Sequence, residues 1–142
     1  MNKKGITLME LIIVMAIIAI GAVLMVPNIG AWLPNYRLKS AARDIVSTMR
    51  VAQMKAVTSN VEYRVSFVGN SYVIERGPGW ASEGGTQDLP SGIGINSSTF
   101  VDGRVVFNPS GTASAGNLVL QNPKLAQKKI IVASTTGRIR IE

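Results

Sequence analysis

The sequence contains no cysteine and no histidine, and only 8 acidic side chains stand against 15 lysines and arginines. Without cysteine, disulfides and thiolate metal sites are excluded. Without histidine, the chain lacks the commonest general base and metal ligand, so serine–histidine and cysteine–histidine hydrolases are excluded as well. No pair of carboxylates stands at a spacing typical of a catalytic site. We therefore expect a non-enzymatic protein without cofactor or metal, and the net charge of +7 favours an acidic partner.

The apolar residues are concentrated near the start of the chain. The 16 residues of Leu11–Val26 carry no charge, and the longer segment Ile6–Val26 has 21 residues. As a helix it would span about 31 Å at about 1.5 Å per residue, which matches the roughly 30 Å hydrocarbon core of a bilayer. Lys3 and Lys4 precede this segment, so the positive-inside rule predicts a single-pass protein with a cytoplasmic N-terminus. The residues after Pro27 would then lie outside the inner membrane.

Two ordinary membrane signals share this pattern. A cleaved secretory signal also has a basic start and an apolar core, and Gly30-Ala31 resembles a cleavage site. A plain signal anchor has the same composition. Neither explains Glu10, because a carboxylate at the centre of a membrane helix costs about 2.5–3.5 kcal/mol, and less toward the interface. Because of this cost, we expect the carboxylate of Glu10 to have a partner.

The segment Gly5-Ile6-Thr7-Leu8-Met9-Glu10, followed by the apolar helix, resembles the cleavage and methylation motif of type IV prepilins and type II secretion pseudopilins. The resemblance implies that a prepilin peptidase cleaves between Gly5 and Ile6, that Ile6 is N-methylated and that the helix is retained. Glu10 then becomes the fifth residue, near the positive end of the helix, where a carboxylate is favoured. The resemblance further implies that Glu10 pairs with the amine of a neighbouring subunit during filament assembly.

Beyond the apolar run, the sequence predicts the second half of the helix. Pro27 and Pro34 should each kink or locally break the helix, because proline removes a backbone hydrogen bond. After Tyr36, apolar residues return at the i, i+3, i+4, i+7 spacing of a helix that lies on a core. These residues are Leu38, Ala41, Ala42, Ile45, Met49, Ala52 and Ala56.

From Val61 the apolar period changes to two, which is typical of β-strands. Gly69-Asn70 predicts a hairpin turn, and residues 77–94 read as a loop with little strand that Trp80 pins to the body. The predicted strands are Val61–Val68, Ser71–Arg76, Arg104–Asn108, Asn117–Gln121, Lys129–Ser134 and Arg138–Ile141. The predicted fold class is α+β, with a long N-terminal hydrophobic helix, half transmembrane and half amphipathic, packed on an antiparallel β-sheet head.

Four segments follow from these patterns: a leader at residues 1–5, a transmembrane and filament-core helix at 6–27, an amphipathic helix half at 28–58 and a β-rich periplasmic head at 59–142. Arg37–Ala42, the turn Phe107–Gly111 and the closing Gly137–Arg140 resemble the GspH/FimT branch of the pilin family. The resemblance implies a minor pilin or pseudopilin, whose partners are prepilin peptidase, the inner membrane and other pilins or pseudopilins in an envelope filament. Type II secretion systems and type IV pili both use this plan, so both systems remain open.

The end of the chain is basic. From Pro123 onward, one acid, Glu142, stands against Lys124, Lys128, Lys129, Arg138 and Arg140. Arg138 and Arg140 share a strand face, with guanidinium groups about 6–7 Å apart at about 3.3 Å per residue, near the phosphate spacing of one nucleic-acid strand. Ile139 and Ile141 should face the core. The pattern resembles the tail of FimT-type minor pilins that bind DNA, so DNA uptake in natural competence is the alternative function. The other interpretation is that these charges only solvate a terminal strand, with Gly137 making the turn.

Overall fold

The computed structural model describes residues 6–142, with the backbone alone for helical residues 24–29 and 31. Helix α1 runs from Leu8 to Ser59 and has 52 residues. The chain divides into two compact units, of which the first ends at Leu33 and the second is Pro34–Glu142.

The first unit contains the hydrophobic part of α1. Its described apolar side chains from Ile6 to Val23 are exposed. Among the described residues, no helix is both long and apolar enough to cross a membrane. The predicted leader, with Lys3, Lys4 and Gly5, lies outside the described residues, as do the side chains at positions 24–26 of the predicted span.

Neither Pro27 nor Pro34 ends the helix, because α1 continues through both positions. Of the two outcomes predicted at these prolines, the local break is therefore wrong, and the kink stays a prediction. Proline removes one backbone donor and crowds the preceding turn, but the remaining hydrogen bonds on both sides can hold the helix.

In the second unit, one face of α1 is buried in the core. The stripe predicted from the sequence is confirmed, because all of its members are buried: Leu38, Ala41, Ala42, Ile45, Met49, Ala52 and Ala56. Four of these are alanines, whose small side chains allow the helix backbone to approach the sheets closely. The stripe continues the 3.6-residue period of an amphipathic helix.

The strands of the second unit form two antiparallel sheets within the described residues. Sheet A has the order β3-β2-β1-β6, with β4 also paired to β2, and sheet B has the order β5-β7-β8-β9. A short 3₁₀ helix, Val101–Gly103, precedes β6. The strands are β1 Tyr63–Val68, β2 Ser71–Arg76, β3 Ala81–Ser82, β4 Gln87–Asp88, β5 Gly94–Ser98, β6 Arg104–Phe107, β7 Gly116–Gln121, β8 Gln127–Val132 and β9 Ile139–Ile141.

The predicted hairpin of β1 and β2 is confirmed, with Val68 opposite Ser71 across the Gly69-Asn70 turn. The loop at residues 77–94 holds only two-residue strands, and the Arg64 guanidinium lies 4.2 Å above the ring of Trp80, which ties the loop to β1. Strand β5 was not predicted. It is an edge strand of Gly, Asn and Ser with one isoleucine, interrupted by an irregularity between Ile95 and Ser97, so its composition carries little strand signal.

The division into two sheets also differs from the single sheet expected. The segment Ala113–Ser114 joins them, since the Ala113 N–H donates to the carbonyl of Ser134 beyond β8 and the Ser114 N–H donates to that of Val106 in β6. Both inner faces and the buried face of α1 share one hydrophobic core. The basic end of the chain therefore lies on sheet B, whose inner face is covered and whose outer face is open.

Candidate functional site

The first candidate region is the start of α1. Thr7 caps the helix: its side-chain oxygen accepts a hydrogen bond from the N–H of Glu10 at 3.3 Å, and its carbonyl accepts one from Leu11 at 3.2 Å. Ser or Thr followed three residues later by Glu is the capping-box pattern. Glu10 thus stands in the first helical turn, where unpaired N–H groups favour a carboxylate.

The carboxylate of Glu10 is exposed, and none of the described residues forms an ion pair with it. The side chains around it are apolar and also exposed, among them Leu8, Leu11 and Ile13. A continuous apolar surface of this kind marks contact with a membrane or with other proteins. Gly5, the other half of the predicted cleavage site, lies outside the described residues.

The second candidate region is the outer face of sheet B. Arg140 is opposite Ile131 in the β8–β9 ladder, and Lys129 precedes Ile131 by two residues, so both side chains lie on the same face. Arg138 stands one residue before β9, and burial alternates from buried Gly137 through exposed Arg138 and buried Ile139 to exposed Arg140. The two arginines therefore share the outer face, as predicted from their spacing.

The acidic residue Glu142 lies beside Arg140 on this outer face. A side-chain oxygen of Glu142 lies 4.0 Å from Arg140, and both side chains are more than half exposed. The backbone of Glu142 also pairs with that of Lys129 through two hydrogen bonds. Since exposed ion pairs contribute about 0–1 kcal/mol, Glu142 leaves Arg140 largely available to another anion.

The five basic residues of the tail do not form one patch. Lys128 is opposite Leu120, on the inner face of sheet B. Its neighbour Lys129 points to the outer face, because consecutive residues of a strand point to opposite faces. Lys124 is exposed in the turn between β7 and β8, where its N–H donates to the side chain of Asn122 at 3.0 Å. Lys129, Arg138 and Arg140 are thus brought together, whereas Lys124 and Lys128 lie elsewhere.

Lys128 instead belongs to a cleft between α1 and sheet B, which we call the cationic cleft. It is lined by Lys39, Ala42, Arg43, Lys128 and Ile141 and has a volume of about 310 Å³. Ile139 is 7% exposed and faces the core as predicted, whereas Ile141 is 38% exposed and lines the cleft, so the prediction that it faces the core is wrong. The sequence alone assigned no role to Lys39 or Arg43. Their i, i+4 spacing, which places both on one face of α1, was the only sequence feature that could have pointed to this cleft.

The turn before Arg138 is held tightly against the helix. Gly137 has a φ of +58°, and a Cβ atom there would lie 2.4 Å from the carbonyl oxygen of Gly111. The side-chain amide of Gln53 donates to that same oxygen at 3.0 Å. The predicted turn at Gly137 is thus confirmed, and it joins the end of the chain to the Phe107–Gly111 turn and to α1.

Two further carboxylates, in sheet A and its loop, serve the fold. Burial alone would raise the pKa of Glu75, but hydrogen bonds from Ser66, at 2.6 Å, and from Arg64 outweigh it and lower that pKa. Hydrogen bonds from Lys55 and Tyr63, each at 2.7 Å, lower the pKa of Glu83. Both carboxylates are thus paired with cations and hydroxyls of the head. In the described part of the chain, no cluster of acidic residues is suited to a metal.

Comparison with known protein families decides the identity. A family model described as type II transport protein GspH matches residues 41–137, which is more than half of the chain. The chain belongs to the GspH family. A second model, the prokaryotic N-terminal methylation motif, matches residues 1–26. Comparison with curated protein sequences gives no match.

Several solved structures have the same fold as this GspH protein. The minor pseudopilin EpsH of the Vibrio cholerae type II secretion system has a TM-score of 0.64 and 12% identity, over 75% of this chain and 96% of that chain. The type IV minor pilin FimU of Pseudomonas aeruginosa has a TM-score of 0.63 and 15% identity, over 76% and 90%. GspH of E. coli has a TM-score of 0.63 and 12% identity, over 76% and 89%. The predicted α+β class is thereby confirmed.

The family and the methylation motif together establish the general role. The GspH protein is a minor pseudopilin or pilin subunit of a type II secretion system or type IV pilus. Its methylation motif implies processing by prepilin peptidase and assembly with other pilins. Pilins and pseudopilins are structural filament subunits anchored in the inner membrane. The two model matches confirm the resemblance recognised in the sequence.

Proposed function

We propose that this GspH protein is a non-enzymatic filament subunit that is cleaved between Gly5 and Ile6, N-methylated on Ile6 and assembled through Glu10. The observation that carries the proposal is the capped start of α1, where Glu10 lies in the first turn amid exposed apolar side chains. A carboxylate in that setting needs a cation, and the amine of Ile6 in a neighbouring subunit supplies one.

The segments take their roles from this assignment. Residues 1–5 are the leader, 6–27 the transmembrane and filament-core helix, 28–58 its amphipathic second half and 59–142 the head. Before assembly the protein crosses the inner membrane once, with its N-terminus in the cytoplasm and its head in the periplasm. The partners are prepilin peptidase, the inner membrane and other pilins or pseudopilins.

Mass spectrometry of the N-terminal peptide tests the processing. In a host with prepilin peptidase, the mature protein should lack residues 1–5 and begin with N-methylated Ile6. Gly5→Leu should keep the leader in at least about nine-tenths of the molecules, because a large side chain prevents the close approach that glycine allows.

The matched control is Gly21→Leu, since a side chain at Gly21 would meet nothing within 4 Å. This variant should be processed like the wild type. A mature protein that begins after Ala31 would indicate an ordinary signal peptide, and an uncleaved chain beginning at Met1 would indicate a plain signal anchor. Either result would refute the proposed processing.

We propose DNA binding as the second candidate function, supported by the shared outer face of Lys129, Arg138 and Arg140. Non-specific phosphate contact is expected, because no part of the described chain resembles a base-reading helix. The filament role and DNA binding are compatible, since one uses the start of α1 and the other uses the end of the chain.

Titration of the full chain, in an uncharged detergent, into labelled double-stranded DNA at several salt concentrations tests this function. Arg138→Ala with Arg140→Ala should weaken binding at least about tenfold at low salt and reduce the salt dependence by about two phosphate contacts. Arg50→Ala with Arg76→Ala removes the same charge from exposed positions elsewhere and should change binding little. Equal weakening by both pairs, or no binding by the wild type, would leave only the filament role.

A further inference from the structure

The cationic cleft gathers three positive side chains without a negative one. Lys39 and Arg43 come from α1, and Lys128 comes from the inner face of β8. Among the described residues, no carboxylate lies within 4.0 Å of any of the three, although other cations of the head do form such pairs.

This arrangement is unfavourable in the unliganded head. Lys39 and Arg43 stand at i and i+4 on one helix face, where like charges repel. Lys128 is half-buried over the edge of the core, so part of its hydration is lost without a compensating partner. An anion seated between the three side chains would relieve both effects.

We propose that the cationic cleft binds a phosphate group. A phosphate monoester carries a charge of about −1.5 to −2 at pH 7 and offers three acceptor oxygens. It therefore suits a cleft lined by three cations better than a single carboxylate would. The fork of Arg43 can bind two of those oxygens at once, and the third is left for the ammonium groups of the two lysines.

The rest of the lining suits a phosphate that is attached to carbon. Ala42 is fully buried beneath the cleft, and the partly exposed Ile141 forms an apolar wall beside the cations. Two sources of such a group are a soluble phosphoryl compound and the headgroup of an anionic phospholipid. The phosphate contact is the same for both.

The cleft is distinct from the proposed DNA-binding face. Lys128 and Lys129 are consecutive in β8 and point to opposite sides of sheet B, so the cationic cleft and the outer face can be altered separately. Phosphate binding in the cleft does not depend on filament assembly, and its failure would leave the proposed function untouched.

Two measurements on the full chain in an uncharged detergent test the site. Isothermal titration calorimetry with inorganic phosphate measures soluble binding, and native mass spectrometry after extraction from vesicles of phosphatidylcholine and phosphatidic acid measures retained lipid. Replacing Lys39, Arg43 and Lys128 by glutamine should reduce phosphate affinity or lipid retention at least about tenfold. Binding of inorganic phosphate without retention of phosphatidic acid would identify a soluble ligand, whereas retention of phosphatidic acid would identify a lipid headgroup.

The matched control replaces Lys129, Arg138 and Arg140 by glutamine, which removes the same charge from the outer face and should leave both readouts within about twofold. The single variant Arg43→Gln, at an exposed helix position, keeps the test decisive if the triple variant does not fold. The proposal is overturned if neither ligand binds the wild type, or if both triple variants weaken binding equally.

Discussion

Replacing Glu10 by alanine should leave the protein cleaved and inserted in the inner membrane but nearly absent from the filament. The reason is that the carboxylate and the amine of Ile6 in the next subunit would meet in an apolar environment, where losing one partner strands the other charge. Breaking a buried pair costs about 3–5 kcal/mol, which corresponds to a loss of roughly a hundredfold or more in association. Quantifying the protein in sheared filaments and in membranes by immunoblot measures this directly.

Two further variants separate charge from shape. Glu10→Gln keeps the size and the place in the first turn of α1 but lacks the charge, so it should fail to assemble as well. Glu62→Ala removes an exposed carboxylate from the head and should assemble normally. Normal amounts of Glu10→Ala in sheared filaments would refute the role proposed for Glu10.

Replacing Gly137 by alanine should destabilise the head by about 2–5 kcal/mol. About 1–2 kcal/mol would come from forcing a residue with a Cβ into a left-handed conformation. A further 1–3 kcal/mol, roughly, would come from overlap, since the new atom would lie 2.4 Å from the backbone oxygen of Gly111 and 2.2 Å from the side-chain nitrogen of Gln53. Gln53 can rotate away, but the Gly111 turn must move.

The control is Gly69→Ala, in the β1–β2 hairpin. Gly69 has a φ of +60°, close to that of Gly137, yet a Cβ there would meet nothing within 4 Å. Only the conformational cost of about 1–2 kcal/mol should remain. Denaturant unfolding of the two variants, followed by tryptophan fluorescence, measures the difference. Equal destabilisation would show that the packing of Gly137 on Gly111 contributes nothing.

The packing of Gly137 separates its role in the fold from the role proposed for the arginines that follow it. The glycine is required by the fold, since its turn packs on Gly111 and Gln53. The arginines that follow it are exposed and have no comparable packing role. A glycine at this position therefore carries no information about the proposed DNA binding, which would use Lys129, Arg138 and Arg140.

The amphipathic half of α1 and the hairpin of β1 and β2 could be predicted because each is specified by short-range patterns. The buried stripe from Leu38 to Ala56 repeats with the helical period, and the β1–β2 hairpin has alternating residues and a Gly-Asn turn. Strand β5 could not be predicted in this way, since its pairing with β7 supplies what its own residues lack. Phe100, Leu89 and Ile93 are likewise buried although they belong to segments read as loops or left unassigned.

By itself the sequence determined the methylation motif, the placement of Glu10 directly before an uncharged apolar run, the α+β class and the excess of positive charge, because each follows from composition or from residues close together along the chain. Only the tertiary structure decided how that charge is distributed. Strand alternation separated Lys128 from Lys129, and packing of α1 on sheet B brought Lys128 to Lys39 and Arg43, almost ninety residues away in sequence. Contacts over such distances depend on the fold of the whole head, and no local pattern encodes them.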